Sequence, residues 1–335
     1  TDYSKIIVEV KMAKIIPVAS GKGGVGKTFF VTNLSILLAQ KGQRVVAVDL
    51  DLGGSNLHTM LGIKNDLYGI GHYIYDKTLP FDKIIHRTEF DNLKFIPGDA
   101  LFVGAANIPY FRKKKILSEI SKIDADWVIL DLGSGSTLNT IDFFLASNCG
   151  ILVTTPELTA VLNLYSFLKN SFYRYIFNGL KKNAEVRDRL VEAVKTRLEK
   201  ENTTFCELLK IIKKDFPEEE KRIDDLVNNF FPKLLLNMGN NERDIAFGEN
   251  LRKIIKKNMG LEVEYLGLLP EEHQARRYVI ARKPLSVVEN ESKWVEGCSK
   301  IADRLLEFHD YPVTIFEDVV DSLYVVYDDM RFVIE

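Results

Sequence analysis

Cysteine is scarce and scattered: Cys149, Cys206 and Cys298 are the three in 335 residues, and no two form a C-x-x-C pair. That gives no metal or iron–sulfur site and fits a reducing cytoplasm. Long apolar runs are also missing. No stretch approaches the roughly 20 residues that a helix needs to cross a bilayer, and the first residues do not read as a signal peptide. Charge of one sign is lacking too, since 45 Lys and Arg against 47 Asp and Glu leave a net charge of −2. The chain therefore has no general attraction for nucleic acid or acidic lipid, and any such contact would need a local patch. Low-complexity segments and internal repeats are absent. What is present, 46% hydrophobic and 27% charged residues, suffices for one large α/β domain with an insertion or for two small domains.

One stretch organises the rest. Ile15-Ile16-Pro17-Val18-Ala19-Ser20 reads as a buried strand, and it opens into Gly21-Lys22-Gly23-Gly24-Val25-Gly26-Lys27-Thr28. A helix follows, with Leu34, Leu37 and Leu38 giving it an apolar face. Gly21, Gly26, Lys27 and Thr28 fit the phosphate-loop pattern G-x-x-x-x-G-K-[ST]. Glycines let successive backbone N–H groups turn inward as a nest for anionic oxygens, and the helix start adds the positive end of its dipole. Lys27 supplies a point charge for the terminal phosphates, and the Thr28 hydroxyl can take one Mg²⁺ position. The competing reading is a glycine turn that merely precedes a helix; strand, loop and helix in sequence weigh against it.

The second lysine narrows this further. The loop G-K-G-G-V-G-K-T resembles the deviant phosphate loop of the MinD/ParA family of dimeric ATPases. The resemblance implies a doubly wound, mostly parallel α/β sheet with flanking helices, ATP/ADP and Mg²⁺ as ligands, and a homodimer formed with ATP. It implies that Lys22 crosses to the partner's nucleotide, while Gly21, Gly23, Gly24, Val25, Gly26, Lys27, Thr28 and Phe29 hold the chain's own. Asp49-Leu50-Asp51-Leu52-Gly53-Gly54-Ser55-Asn56 ends a buried strand and matches the first switch, D-x-D-x-G-x-x-N. By resemblance Asp51 orients the attacking water, and Asp49 supports the Mg²⁺ shell together with Thr28 and Asp131. Trp127-Val128-Ile129-Leu130-Asp131 is another buried strand ending in an acid, and Asp131-Leu132-Gly133-Ser134-Gly135 occupies the second-switch position. It departs from the usual D-x-P-A-G, although Gly133 keeps an N–H suited to the terminal phosphate. Asn237, at the end of Lys233-Leu234-Leu235-Leu236-Asn237, matches the residue that meets the adenine edge, and Pro270-Glu271 matches the stretch that closes over the base.

The likeness covers roughly residues 12–170 and 232–308. Between Lys181 and Asp225 stand twelve Lys or Arg and twelve Asp or Glu, interleaved with apolar residues at helical spacing. Thr204 and Glu207 form a capping box there. We read 171–231 as an inserted helical hairpin inside a 12–308 ATPase domain, with near-zero charge that argues against nucleic acid and leaves a protein partner as its occupant. Phe172, Tyr173, Tyr175 and Phe177 at its base read as core packing. Arg112-Lys113-Lys114-Lys115 reads as a solvated helix face. Residues 5–10 suggest a short extra strand. The tail 309–335 is acidic, carrying Glu317, Asp318, Asp321, Asp328, Asp329 and Glu335 against Arg331, so an anionic membrane would repel it.

The expected function is a slow, partner-stimulated cytoplasmic ATPase switch in spatial positioning, nearest the FlhG-like group or division-site selection. A ParA-type partition ATPase and a bacterial tyrosine kinase of related fold are the alternatives. The partition reading lacks a basic surface, and the kinase reading conflicts with Lys22. An iron–sulfur carrier of the Mrp type lacks its paired cysteines.

Overall fold

Among the described residues, seven apolar strands rich in Val, Ile and Leu, largely buried, and one short polar edge strand form a single eight-stranded sheet. In the computed structural model, which describes residues 13–64, 66–98, 108–180, 183–198, 204–289 and 291–308, the strands are β1 (Lys14–Ser20), β2 (Val45–Leu50), β3 (His86–Arg87), β4 (Leu93–Ile96), β5 (Trp127–Ser134), β6 (Ile151–Thr154), β7 (Lys233–Gly239) and β8 (Glu264–Pro270). The expectations for residues 5–10 and 309–335 lie outside the described residues. The order across the sheet is β3-β4-β2-β5-β1-β6-β7-β8. Every pairing is parallel except the short antiparallel β3–β4 edge.

Strand alternation sorts the core into two layers. Ile16, Val18, Val45, Ala47, Trp127, Ile129, Val153 and Leu235 face α1 (Lys27–Gln40) and the helix Lys293–Phe308. Val46, Val48, Val128, Leu130, Leu152, Leu234 and Leu236 face the helices Tyr110–Ile120, Leu138–Phe144, Leu158–Gly179 and Glu242–Met259. This is the doubly wound architecture the sequence predicts. The chain steps from β1 over to β2, returns through β5, and then continues on the far side with β6. The strand order therefore reverses at β1, and ligands bind at the carboxyl edge of such a switch point.

Two local expectations need correction. Helix α1 does not have one apolar face: residues 30–39 are all buried, so it is covered all round. Its polar side chains bond back into the helix, Thr32 Oγ1 to Thr28 O at 2.8 Å and Ser35 Oγ to Val31 O at 2.7 Å. The Arg112–Lys115 run is not simply a solvated face either, because Lys113 is buried and ion-paired with Asp142, which Arg174 also contacts.

The insertion is larger than a hairpin. It comprises the helices Ala184–Leu198, Phe205–Asp215 and Glu220–Asn229, following the 22-residue helix Leu158–Gly179. The Thr204–Glu207 capping box is present, with Glu207 N donating to Thr204 Oγ1 at 3.3 Å and Thr204 N to Glu207 Oε2 at 2.9 Å. The insertion does not pack only on itself. Phe172, Leu190, Phe205, Leu208, Ile212, Ile223 and Phe230 belong to the same continuous core as sheet residues Val128, Leu130 and Leu234.

Candidate functional site

The loop after β1 is shaped by what its glycines must avoid. Gly26 sits at φ 83°, in the left-handed region, and a Cβ there would lie 2.3 Å from Asn237 Nδ2. At Gly21 a Cβ would meet the backbone of Asn163 and Leu164 at 2.2 Å. Both positions exclude any side chain. Gly26 is the N-cap of α1, no side chain caps that end, and no acid occupies its first turn. The free N–H groups there are available for an anion.

Three strand ends converge on this loop. Asp49 on β2 and Asp131 on β5 are register partners, and both are at most 1% exposed. Lys27 Nζ donates to Asp131 Oδ1 and lies 3.4 Å from Thr28 Oγ1. The other oxygen, Asp131 Oδ2, is buried without a hydrogen-bond partner, as is Ser20 Oγ at the base of the loop. Asp49 accepts from Ser55 Oγ at 2.6 Å and from the N–H groups of Leu57 and Asp51 at 3.0 Å. Burial and the neighbouring Asp131 push the Asp49 carboxyl up from 3.8 to about 7. Burial also pushes Asp131 up, against the pull of Lys27. Asp51 packs against the end of β5: a Cβ on Gly133 would lie 3.2 Å from its Oδ1.

A pH signature follows. Between about 4 and about 7 the folded chain retains on Asp49 a proton that the unfolded chain has released. The contribution of Asp49 to stability therefore falls as pH rises through that window. Asp49→Asn is expected to flatten that slope in urea unfolding compared at pH 5 and pH 7.5; an unchanged slope would contradict the buried-acid assignment.

Beside the loop lies a cleft of about 650 Å³. Its lining brings together the predicted Gly23, Gly24, Val25, Gly26, Lys27, Thr28, Phe29, Asp51, Asn237 and Glu271. Gly21, Lys22, Asp49, Asp131, Gly133 and Pro270 do not line it; the acids lie beneath it and Pro270 ends β8. Lys22 turns away: its Nζ donates to Glu157 Oε2 and Thr159 Oγ1, each at 3.3 Å, with 42% of the side chain exposed. Sequence reasoning missed Thr59, Met60, His273, Arg276, Val279 and Trp294 in the lining. The signal available was weak, a polar stretch just after Pro270-Glu271, and for Trp294 there was none. Among the described residues, no group of three or more His, Cys, Asp or Glu could hold a metal by itself.

Fold and site together define a phosphate-loop α/β nucleotide-binding protein. A family profile described as an AAA domain matches residues 13–178. The flagellum site-determining protein YlxH of Helicobacter pylori is 32% identical over 161 residues, covering 47% of this chain and 53% of that protein. The septum site-determining protein MinD of Thermotoga maritima is 30% identical over 151 residues, 45% of this chain and 55% of that protein. In its loop and in these matches the chain is similar to the MinD/ParA family. It spans about half the length of the curated relatives it matches. Among solved structures, the septum site-determining protein MinD from Pyrococcus horikoshii, complexed with Mg-ADP, superposes with a TM-score of 0.61 at 22% identity, covering 91% of this chain and 100% of that one. A ParA family ATPase from Chlorobium tepidum superposes at 0.57 and 18% identity, covering 87% of this chain and 99% of that one. The fold is shared with both.

Proposed function

We propose that this chain is an ATP-dependent, Mg²⁺-requiring molecular switch that pairs with a second copy of itself when ATP is bound and separates after hydrolysis. The observation that carries the reading is the division of labour between two lysines of one loop. Lys27 lines the cleft and points at buried Asp131, whereas Lys22 stands outside the cleft and half-exposed, where it can serve a nucleotide other than its own.

The residues fit the ligands. Uncapped N–H groups at the start of α1 and the charge of Lys27 suit the β- and γ-phosphates. The Thr28 hydroxyl would hold Mg²⁺ with phosphate oxygens, and Asp49 and Asp131 would hold its water ligands; partnerless Asp131 Oδ2 is the atom with spare capacity. The bound metal would neutralise the charge that develops on the phosphates. Asp51 accepts a hydrogen bond from the attacking water and orients it, with Gly133 alongside; the products are ADP and phosphate. The Mg-ADP in the Pyrococcus relative supports the choice of ligand.

The cellular task we assign is spatial positioning, flagellar or division-site, supported by the site-determining relatives. A cytoplasmic location accords with this. No helix among the described residues is long and apolar enough to cross a membrane. A protein partner would engage the outer face of the 171–231 insertion and stimulate turnover.

Asp51→Ala should bind ATP without hydrolysing it and run as a dimer by light scattering with ATP and Mg²⁺, but as a monomer with ADP. Lys22→Ala should keep ATP affinity within about threefold and lose both dimer and turnover, since it removes only a contact across the pair. A monomer under every nucleotide condition would sink the proposal.

A further inference from the structure

Asn237 ends up 2% exposed, yet its amide forms part of the cleft wall. Both ends of that amide are engaged. Nδ2–H donates to the Val25 carbonyl at 2.9 Å, and Oδ1 accepts from the Trp294 indole Nε1–H at 3.0 Å. An indole nitrogen only donates, so it can face the oxygen of an amide and never its NH₂. A carboxamide left to itself can turn end for end at little cost. Here a turned amide would set Nδ2 against the indole N–H and Oδ1 against the Val25 carbonyl, leaving two buried pairs unmade. The lock itself is rigid. Trp294 is 2% exposed, and its ring meets Phe29 edge-on at 4.8 Å. Its backbone N–H is held by Ser292 Oγ at 3.2 Å.

Asn237 and Met238 stand beside the phosphate loop at Gly26, and with Glu271 and Val279 they form the part of the cleft wall that a base would meet once its phosphates sit in the loop. After its two fixed bonds, the Asn237 amide keeps one N–H and one lone pair. Adenine offers the donor N6–H beside the acceptor N7 or N1. Guanine offers two acceptors, O6 and N7, on its major-groove edge, and on its pairing edge the order of donor and acceptor is reversed relative to adenine. A freely turning amide could adapt to that reversed edge; a locked one cannot.

We propose that Trp294 is a positioning residue that holds the Asn237 amide in one orientation and thereby sets the cleft's preference for a 6-aminopurine over a 6-oxopurine nucleotide. This rests on the nucleotide-binding reading above and names the source of its selectivity. It also ties the base-facing wall to the phosphate loop, because the same amide grips the Val25 carbonyl.

The test is Trp294→Phe in the full chain, with dissociation constants for ATP, GTP and inorganic tripolyphosphate. The expected result is a roughly tenfold fall in the preference for ATP over GTP, with tripolyphosphate affinity unchanged, since the variant loses the bond to Oδ1, one of the two that fix the amide, and keeps the bond to the Val25 carbonyl. An unchanged preference overturns the inference and leaves the nucleotide reading standing. Binding of neither nucleotide by the unaltered chain overturns both. Should the variant fail to fold, the unaltered protein still decides. Its two tryptophans, Trp127 and Trp294, give two indole N–H resonances. That of Trp294 should exchange slowly and move on adding ATP; exchange at the solvent rate, or no movement, overturns the proposal.

Discussion

Lys27→Ala is expected to remove nucleotide binding and to weaken the fold at the same time. The binding loss follows from deleting the charge nearest the phosphates, and a fall of at least about 100-fold is expected for one truncated charged contact in a water-poor site. The stability loss follows from what stays behind. Lys27 is 7% exposed and Asp131 1%, so the variant would keep a buried carboxylate with no cation. Breaking such a pair from one side costs about 3–5 kcal/mol, much of it the unpaired charge. Asp49 lies beside Asp131 on the neighbouring strand and adds repulsion. The loss should therefore be greater at pH 7.5 than at pH 5, where a proton can take the place of the lysine. The double variant Lys27→Ala with Asp131→Asn should recover most of the urea stability and none of the affinity. Titration calorimetry and urea unfolding on the three proteins separate the two effects. A single variant that loses less than about 1 kcal/mol would mean that the pair is not held as described, because surface pairs are worth no more than that.

The nucleotide loop was legible in the sequence because its signal is local. Glycines, lysine and threonine at fixed spacing after an apolar strand define the geometry within eight residues. The acids were legible for a related reason: Asp49 and Asp131 end strands too apolar to be anything but buried, and parallel strands bring their carboxyl ends to one edge. What was hidden depends on contacts between distant residues of ordinary type. Trp294 reaches Asn237 from 57 positions away, and Trp294 lies in no motif. Asn237 reads as an adenine contact by resemblance, while its grip on the Val25 carbonyl, across 212 positions, appears only in the fold. Lys113 lies in a basic run that composition marks as solvated, yet one member of the run is buried on Asp142. The insertion misled in the same way, since an amphipathic stripe shows that a helix covers something and does not show what.

That last point fixes the outcome of removing the insertion. Replacing residues 181–229 with a short flexible linker is expected to give an insoluble chain. Loop closure is not the obstacle, because its cost changes weakly with length. The obstacle is the surface left bare. Phe172 is fully buried, stacked on Phe230 with centroids 5.5 Å apart and tilted against Phe205 at 5.0 Å, and Tyr175 stacks on Phe230 at 4.8 Å. Leu226 reaches the long helix at Gly179, where a Cβ would come within 2.5 Å of it. Phe205, Leu208, Ile212 and Ile223 also close the core over the helix Glu242–Met259 and the sheet. Without them Phe172, Ile176 and Phe230 would face water as one apolar patch, the kind that drives association. A milder probe keeps the idea measurable in soluble protein. Phe205→Ala should cost about 3–5 kcal/mol in urea unfolding, the penalty for a buried phenylalanine in a shared core. It should leave ATP affinity intact, because the cavity lies on the face of the sheet opposite α1. A soluble deletion variant that still binds ATP would show instead that the insertion is a detachable accessory. In the structure as it stands, those helices close the core beside the helices Leu158–Gly179 and Glu242–Met259, and any partner they recognise must read their charged outer side.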